Sequence, residues 1–215
     1  PLHGHRVPDA AAPDRGATWL GFPGDRVEWR QGTRIRTFAA ADGLSVGNVS
    51  AIHVAVGAVY VAGERGLAWF DGQRFHTLSQ QRVRALDGIT GIVAVGDELW
   101  LNGNLGLLRV SRTALRRSAD PAYRLPEPLL LDALDGVPGI ALQATPVPTL
   151  LRGEGNVLWL ATNQGAAWFD TQRLPRNREI PSVSIRSVVA DGHAFAPVPS
   201  LALPQRTASL HIDYT

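Results

Sequence analysis

Hydrophobic residues along this chain fall into short alternating runs separated by glycine turns, and one such run recurs four times. The aligned segments read TWLGFPGDRVEWRQGTRI, VYVAGERGLAWFDGQRF, LWLNGNLGLLRV and LWLATNQGAAWFD. Their first aromatic residues are Trp19, Tyr60, Trp100 and Trp159, which lie 41, 40 and 59 residues apart. A period of about 40 residues is typical of β-propeller blades, so the chain is expected to be a repeat protein.

Each repeat predicts four short strands. In VSAIHVAVGAVYVAG two alternating runs flank Gly57, which indicates a hairpin. The stretches GERG and DGQ then supply two more turns, one before LAWF and one before RFHTL. A β-sandwich would not repeat so regularly, and a β-solenoid has shorter repeats. The predicted fold class is therefore all-β, with about four four-stranded antiparallel β-propeller blades over residues 1–177.

An insertion at about residues 111–130 explains the long third interval. Ser111 or Thr113 is expected to cap a short helix that runs to Arg117. Three prolines follow within eight residues and disfavour regular structure there.

The recurring aromatic residues are predicted to pack between neighbouring blades. A residue repeated in every blade usually serves the contact that each blade makes with the next one. This expectation covers the four first aromatics and the two tryptophans of the Ala-Trp-Phe-Asp stretches, Trp69 and Trp168.

The repeats resemble the two-component regulator propeller repeat. That repeat combines an Asp-Gly-Leu stretch, a Val-x-x-Ile strand, a Leu-Trp-Val-Gly-Thr-like strand and a Gly-Leu turn. Matching residues here are Asp42-Gly43-Leu44, Val49, Ile52, Val59-Tyr60-Val61 and Gly66-Leu67. Asp135-Gly136-Val137 resembles the same opening stretch, whereas Tyr60 stands for Trp, Ala62 and Asn102 stand for Gly, and Ala166 stands for Leu.

The last 38 residues, 178–215, lose the repeat and resemble the start of a triple-tyrosine domain, an immunoglobulin-like module. The residues that carry this resemblance are Pro181, Val183, Ile185, Asp191-Gly192 and Tyr214. A sandwich of that kind needs about seven strands, so only a partial immunoglobulin-like β-sandwich segment is expected. Four blades are also few for a propeller, and we expect the chain to be a fragment of a longer receptor.

In proteins that this tandem resembles, the propeller and the triple-tyrosine domain form the periplasmic part of a membrane sensor with a histidine kinase, diguanylate cyclase or DNA-binding output. The resemblance therefore implies a periplasmic, ligand-sensing and signal-transmitting region that is not itself an enzyme. It also implies that contact with the membrane runs only through segments downstream of this sequence.

Composition limits the chemistry. The chain has no cysteine, which removes disulfides and thiolate sites within it. Its net charge is +2, its basic residues are scattered arginines, and nucleic acid is not expected as a partner. The six histidines show no metal-ligand spacing, and no catalytic motif is present, so no metal, cofactor or catalytic residue is predicted.

Candidate ligand contacts lie in the turns between the second and third strands, because these turns emerge on one side of successive blades and differ between them. The candidates for binding a small molecule or oligosaccharide are Glu64, Arg65, Asn102, Asn104, Asn163 and Gln164. The alternative interpretation is that they are ordinary solvated turn residues.

Two other functions stay open from the sequence. A free-standing propeller enzyme, such as a lyase or lactonase, would need an acid/base or metal cluster that the repeats do not supply. A protein-binding propeller scaffold would need no such cluster. Residues Ser209 to Thr215 are expected to leave an open strand edge, which would permit a homodimer.

Overall fold

The computed structural model describes residues 8–144, 146–174 and 184–215. The chain divides into two compact units, Pro1–Arg176 and Asn177–Thr215. The first unit contains four successive antiparallel sheets, which we name A to D, and the second contains sheet E. This architecture confirms the predicted all-β class with four-stranded antiparallel sheets, whereas closure into a propeller ring stays a prediction.

Sheets A, B and C each have four strands in the order of the chain, as the repeats predict. Sheet A consists of β1 (Ala10–Asp14), β2 (Ala17–Phe22), β3 (Arg26–Gln31) and β4 (Arg34–Phe38). Sheet B consists of β5 (Val49–Ala55), β6 (Ala58–Gly63), β7 (Gly66–Phe70) and β8 (Phe75–Ser79). Sheet C consists of β9 (Gly91–Val95), β10 (Glu98–Gly103), β11 (Gly106–Ser111) and β12 (Leu129–Leu131).

Sheet D contains three strands within the described part of the chain. They are β13 (Leu150–Arg152), β14 (Val157–Thr162) and β15 (Gly165–Asp170). Short 3₁₀ turns at Ala40–Asp42, Arg84–Leu86 and Ala133–Asp135 precede sheets B, C and D, respectively.

The sheets stack in chain order. The first strands β1, β5, β9 and β13 lie next to one another, and sheets A, B and C each bury an aromatic face against the following sheet. Trp19 and Phe38 of sheet A pack against Val61 and Phe75 of sheet B. Tyr60 and Trp69 of sheet B pack against the leucines of sheet C in the same way, and Trp100 of sheet C packs against sheet D. The core is therefore a row of three interfaces.

The packing prediction is wrong for the two tryptophans of sheet D. Trp159 and Trp168 face each other across β14 and β15 and are 48% and 62% exposed, whereas their equivalents Tyr60 and Trp69 are 0% and 4% exposed. The physical reason is positional: among the described residues sheet D is the last of the row, and no following sheet covers its aromatic face.

The insertion between β11 and β12 begins with the predicted helix, α1 (Arg112–Arg117). The hydroxyl of Ser111 accepts a hydrogen bond from the backbone N–H of Ala114 at 3.1 Å and so caps this helix. Leu115 is fully buried, and the Nε atom of Arg112 donates to the Tyr60 hydroxyl at 2.9 Å. These contacts fix the helix against the interface between sheets B and C.

Sheet E has the strand order β17-β16-β18, with β16 (Ile185–Ala190), β17 (His193–Phe195) and β18 (Leu210–Tyr214). The predicted hairpin turn is present, since Asp191 and Gly192 have φ values of 47° and 80°. Strand β18 is an exposed edge strand. The resemblance at Pro181 and Val183 falls outside the described residues, and a full immunoglobulin-like sandwich stays a prediction. Two of the six histidines, His3 and His5, also lie outside the described residues.

Candidate ligand-binding face

The turns between the second and third strands lie on one side of the stacked sheets. We call this side the loop face. Each turn is fastened to the lead-in segment that precedes the first strand of its own sheet. The backbone N–H groups of Glu64, Asn104 and Asn163 donate to the carbonyls of Asn48, Asp87 and Ile140 at 3.3, 3.0 and 3.0 Å. The three sheets thus present the same local structure, as expected of a repeat.

Neighbouring sheets are joined along this face by further backbone hydrogen bonds. The N–H of Gly88 donates to the Glu64 carbonyl at 3.1 Å, and the N–H of Ala141 donates to the Gly103 carbonyl at 3.1 Å. The N–H of Asp25 donates to the carbonyl of Gly47 at 2.8 Å. Because these bonds cross every sheet interface, the face is a continuous, firmly held surface.

Glu64 and Arg65 lie at the sheet A and sheet B end of the loop face. The Glu64 carboxylate accepts a hydrogen bond from the Asn48 side chain at 2.8 Å. Arg65 forms an ion pair with Asp25 of the preceding turn, with Nη2 and Oδ2 2.8 Å apart. Both candidates are exposed but already hold polar partners, so a ligand here would have to share these groups.

Asn104, Asn163 and Gln164 lie at the sheet C and sheet D end. Asn104 donates through Nδ2 to the Asp87 carboxylate at 2.9 Å, and Asn163 accepts from the backbone N–H of Ile140 at 3.1 Å. Asn104 and Gln164 line one depression of about 480 Å³ together with the lead-in segment 132–140. The structure therefore brings these two candidates together in one depression, which Glu64 and Arg65 do not line.

The expectation that Asn102 lies in an exposed turn is wrong. Asn102 belongs to β10, is fully buried, and donates through Nδ2 to the Thr149 carbonyl, the Thr149 hydroxyl and the Ala161 carbonyl at 3.2 Å each. These bonds hold sheet D against sheet C. The repeat carries the signal for this, because Ala62 and Ala161 occupy the equivalent position and are small apolar residues.

The sequence analysis identified the Asp-Gly stretches of the lead-in segments as part of the repeat, but it did not predict that residues 132–140 line the loop-face depression. The side chains of Leu134 and Ile140 are exposed beside Gln164 and give the depression an apolar wall. The available signal was the Asp-Gly pair, which recurs as Asp42-Gly43, Asp87-Gly88 and Asp135-Gly136 just before each sheet. An amide-bearing depression with one apolar wall can hydrogen-bond a neutral polar ligand while packing against its carbon atoms.

Within residues 8–144, 146–174 and 184–215, no three His, Asp or Glu side chains lie together as metal ligands. Over the same ranges no helix combines the length and the apolar character that crossing a bilayer requires.

No protein-family model matches this chain, and no curated protein matches it. Solved structures do match it at the level of the fold. One is the extracellular domain of the hybrid two-component system BT3049 from B. thetaiotaomicron, with a TM-score of 0.65 and 15% sequence identity over 94% of this chain.

Two further structures share the fold less closely. The extracellular domain of the one-component system BT4673 from B. thetaiotaomicron matches 93% of this chain with a TM-score of 0.52 and 11% identity. PorZ, a surface component of the type-IX secretion system of Porphyromonas gingivalis, matches 81% with a TM-score of 0.50 and 11% identity. This chain spans 26%, 25% and 22% of the lengths of the three structures, respectively. At these identities the likeness shows a common fold.

Proposed function

We propose that this chain is part of the extracytoplasmic, periplasmic region of a bacterial membrane sensor, and that it binds a ligand and transmits the signal without catalysing a reaction. The observation that carries the proposal is the match over 94% of the chain to the extracellular domain of a two-component system. The resemblance of its repeats and tail to two-component regulator propellers and the triple-tyrosine domain supports the same function. The output domain would lie elsewhere in the protein.

The ligand proposed for this sensor is a small neutral molecule or oligosaccharide, held in the depression at Asn104 and Gln164. The side-chain amide of Gln164 is exposed and makes no hydrogen bond within the described residues, so it is free to bind. Leu134 and Ile140 supply apolar surface beside it. A lyase or lactonase would instead need a metal or acid/base cluster in the same place.

The change Gln164→Ala tests the proposed site. Binding of a panel of neutral oligosaccharides to the purified protein would be measured by isothermal titration calorimetry. Loss of one neutral hydrogen bond is expected to lower the affinity of the binding sugar about three- to tenfold. Gln172→Ala is the matched control, because Gln172 is also an exposed turn residue but lies outside the depression.

Unchanged affinity in Gln164→Ala, or an equal loss in Gln172→Ala, would contradict the proposed site. The proposed location has a separate test, because the chain has no cysteine. Gln172→Cys in the full-length protein should gain labelling by a membrane-impermeant maleimide in cells whose outer membrane is permeabilised. Labelling only after cell lysis would place this region in the cytoplasm and would contradict the proposed periplasmic location.

A further inference from the structure

A cleft of about 820 Å³ opens between two segments at the outer side of sheet C. One wall is residues 82–85, which connect sheets B and C, and the other is residues 121–128 of the insertion. Its volume lies within the range of small-molecule sites, about 300–1,000 Å³. The cleft shares Leu105 and Asp132 with the loop-face depression but is otherwise lined by different residues.

Internal contacts hold the two walls together. Arg82 donates through Nη2 to the Tyr123 carbonyl at 2.8 Å and through Nη1 to the Ser118 carbonyl at 3.4 Å. The guanidinium of Arg117 lies 4.3 Å from the centre of the Tyr123 ring and stacks on it. The cleft is therefore formed before any ligand arrives, which lowers the entropic cost of binding.

Two more arginines line this cleft and have no counterion. Arg84 and Arg124 are exposed, and neither guanidinium makes a hydrogen bond or an ion pair with the part of the chain that the structure describes. The carboxylate of Asp132 accepts a hydrogen bond from the backbone N–H of Leu134 at 2.8 Å and caps the following turn. Glu127 is the other acid of the lining, and with Arg82 the lining holds three arginines against two acids, which leaves an excess of one positive charge.

Apolar surface completes the lining. Leu125 and Leu130 are partly buried and pack against the core between sheets B and C, and Tyr123 is half-buried beside them. A bare inorganic ion would leave this apolar surface in contact with water. A ligand that combines anionic and apolar parts would cover it, and guanidinium groups bind carboxylates in a bidentate geometry.

We propose that this cleft binds a small organic carboxylate, with Arg84 and Arg124 holding its oxygen atoms and Tyr123, Leu125 and Leu130 covering its apolar body. This site differs in place and in ligand chemistry from the neutral site of the loop face, and it does not depend on the proposed sensor function. The inference rests on two guanidinium groups without a direct partner that line a preformed, partly apolar cleft.

Isophthalate is a suitable probe, because it carries two carboxylates on a rigid apolar ring, and its neutral isostere isophthalamide is the matched control ligand. Titration into the whole chain, followed by amide chemical shifts, is expected to give saturable changes at residues 82–85 and 121–128 with isophthalate. Binding should weaken several-fold as NaCl rises from about 50 to about 500 mM, because salt screens exposed charges. Isophthalamide lacks the charge, and inorganic phosphate cannot cover the apolar lining, so both should bind at least tenfold more weakly.

Substitutions of charged residues measure how much each charge of the cleft contributes to the affinity for isophthalate. Arg84→Gln and Arg124→Gln are each expected to lower isophthalate affinity about tenfold. Glu127→Gln should raise it about twofold, because a like charge is removed from the cleft. Arg34→Gln, which changes an exposed arginine of sheet A outside the cleft, should leave it unchanged.

Three results would overturn the assignment. Isophthalamide or inorganic phosphate could bind as tightly as isophthalate does, or the affinity for isophthalate could be the same in Arg84→Gln, in Arg124→Gln and in the parent chain. Circular dichroism and the urea midpoint of each variant show that it is folded. All substituted side chains are exposed, so each variant is expected to keep the urea midpoint of the parent chain.

Discussion

Gly43 and Gly136 occupy equivalent positions after 3₁₀ turns but are required for different physical reasons. Each follows a 3₁₀ turn, with φ values of 89° and 88°, and each donates its N–H to the carbonyl three residues earlier. A Cβ atom at Gly43 would lie 2.1 Å from the Phe75 carbonyl oxygen, whereas a Cβ atom at Gly136 would have no neighbour within 4 Å. Gly136 is needed for its backbone conformation, and Gly43 also for its small size.

The matched changes Gly43→Ala and Gly136→Ala test this distinction. Gly136→Ala is expected to cost about 1 kcal/mol of unfolding free energy, the strain of alanine in the left-handed region. Gly43→Ala adds a backbone clash and is expected to cost about 3 kcal/mol or more. Urea unfolding at equilibrium measures both, and equal losses in the two variants would show that the close contact with Phe75 relaxes.

At the residue scale, the local turns and the helix cap could be predicted from the sequence, whereas contacts between distant residues could not. The Asp-Gly turns, the helix cap at Ser111 and the hairpin at Asp191-Gly192 were predictable, because local turn and capping chemistry determines them. The small residues at the equivalent repeat positions indicate that Asn102 is buried, but its hydrogen bond to Thr149 was not predictable, because Thr149 lies 47 residues further along the chain. Arg84 and Arg124 likewise line one cleft only because of the tertiary fold.

At the scale of the element, each sheet was predictable from its own residues but its neighbours were not. Alternating runs and glycine turns predicted sheets A to D, and their register places the repeat aromatics at equivalent positions. A residue that recurs in every repeat predicts a position within its own sheet. It does not predict whether another sheet covers that position. This is why the packing prediction held for Trp100 and was wrong for Trp159.

Trp100→Ala and Trp159→Ala measure the contribution of a covering sheet. Trp100 is buried between sheets C and D, and removing it is expected to cost about 3–5 kcal/mol. Trp159 is half-exposed, and its removal should cost about 1 kcal/mol, since it loses little buried surface. Chemical denaturation provides the comparison, and a similar cost at both positions would mean that Trp159 is covered in solution.

At the scale of the whole molecule, global stability is linked to pH through a histidine at the interface of sheets B and C. Nε2 of His53 accepts a hydrogen bond from the backbone N–H of Ala94 at 3.3 Å. Burial lowers the pKa of His53 below its ordinary value of 6.5, and the positive charge of Arg112 lowers it further. The folded protein therefore binds a proton at this site less readily than the unfolded chain does.

The stability that neutral His53 provides is thus fully present above about pH 6.5 and decreases as the pH falls from there towards the lowered pKa. The loss arises because the unfolded chain gains a proton at His53 that the folded protein does not bind. Unfolding free energies at pH 8 and pH 5 should differ less in His53→Gln than in the parent chain. An identical pH dependence in both would show that other groups cause it.

The order in which the sheets cover one another has a consequence for how the protein is made. Sheet A presents Trp19 to sheet B, sheet B presents Tyr60 to sheet C, and sheet C presents Trp100 to sheet D. Each aromatic face is therefore synthesised before the surface that shields it, and nascent chains grow at about 5–20 residues per second. For a few seconds the newest sheet emerges from the ribosome with its tryptophan uncovered, and the next sheet to emerge shields it. Folding can then proceed sheet by sheet from the N-terminus, with only one aromatic face exposed to solvent at a time.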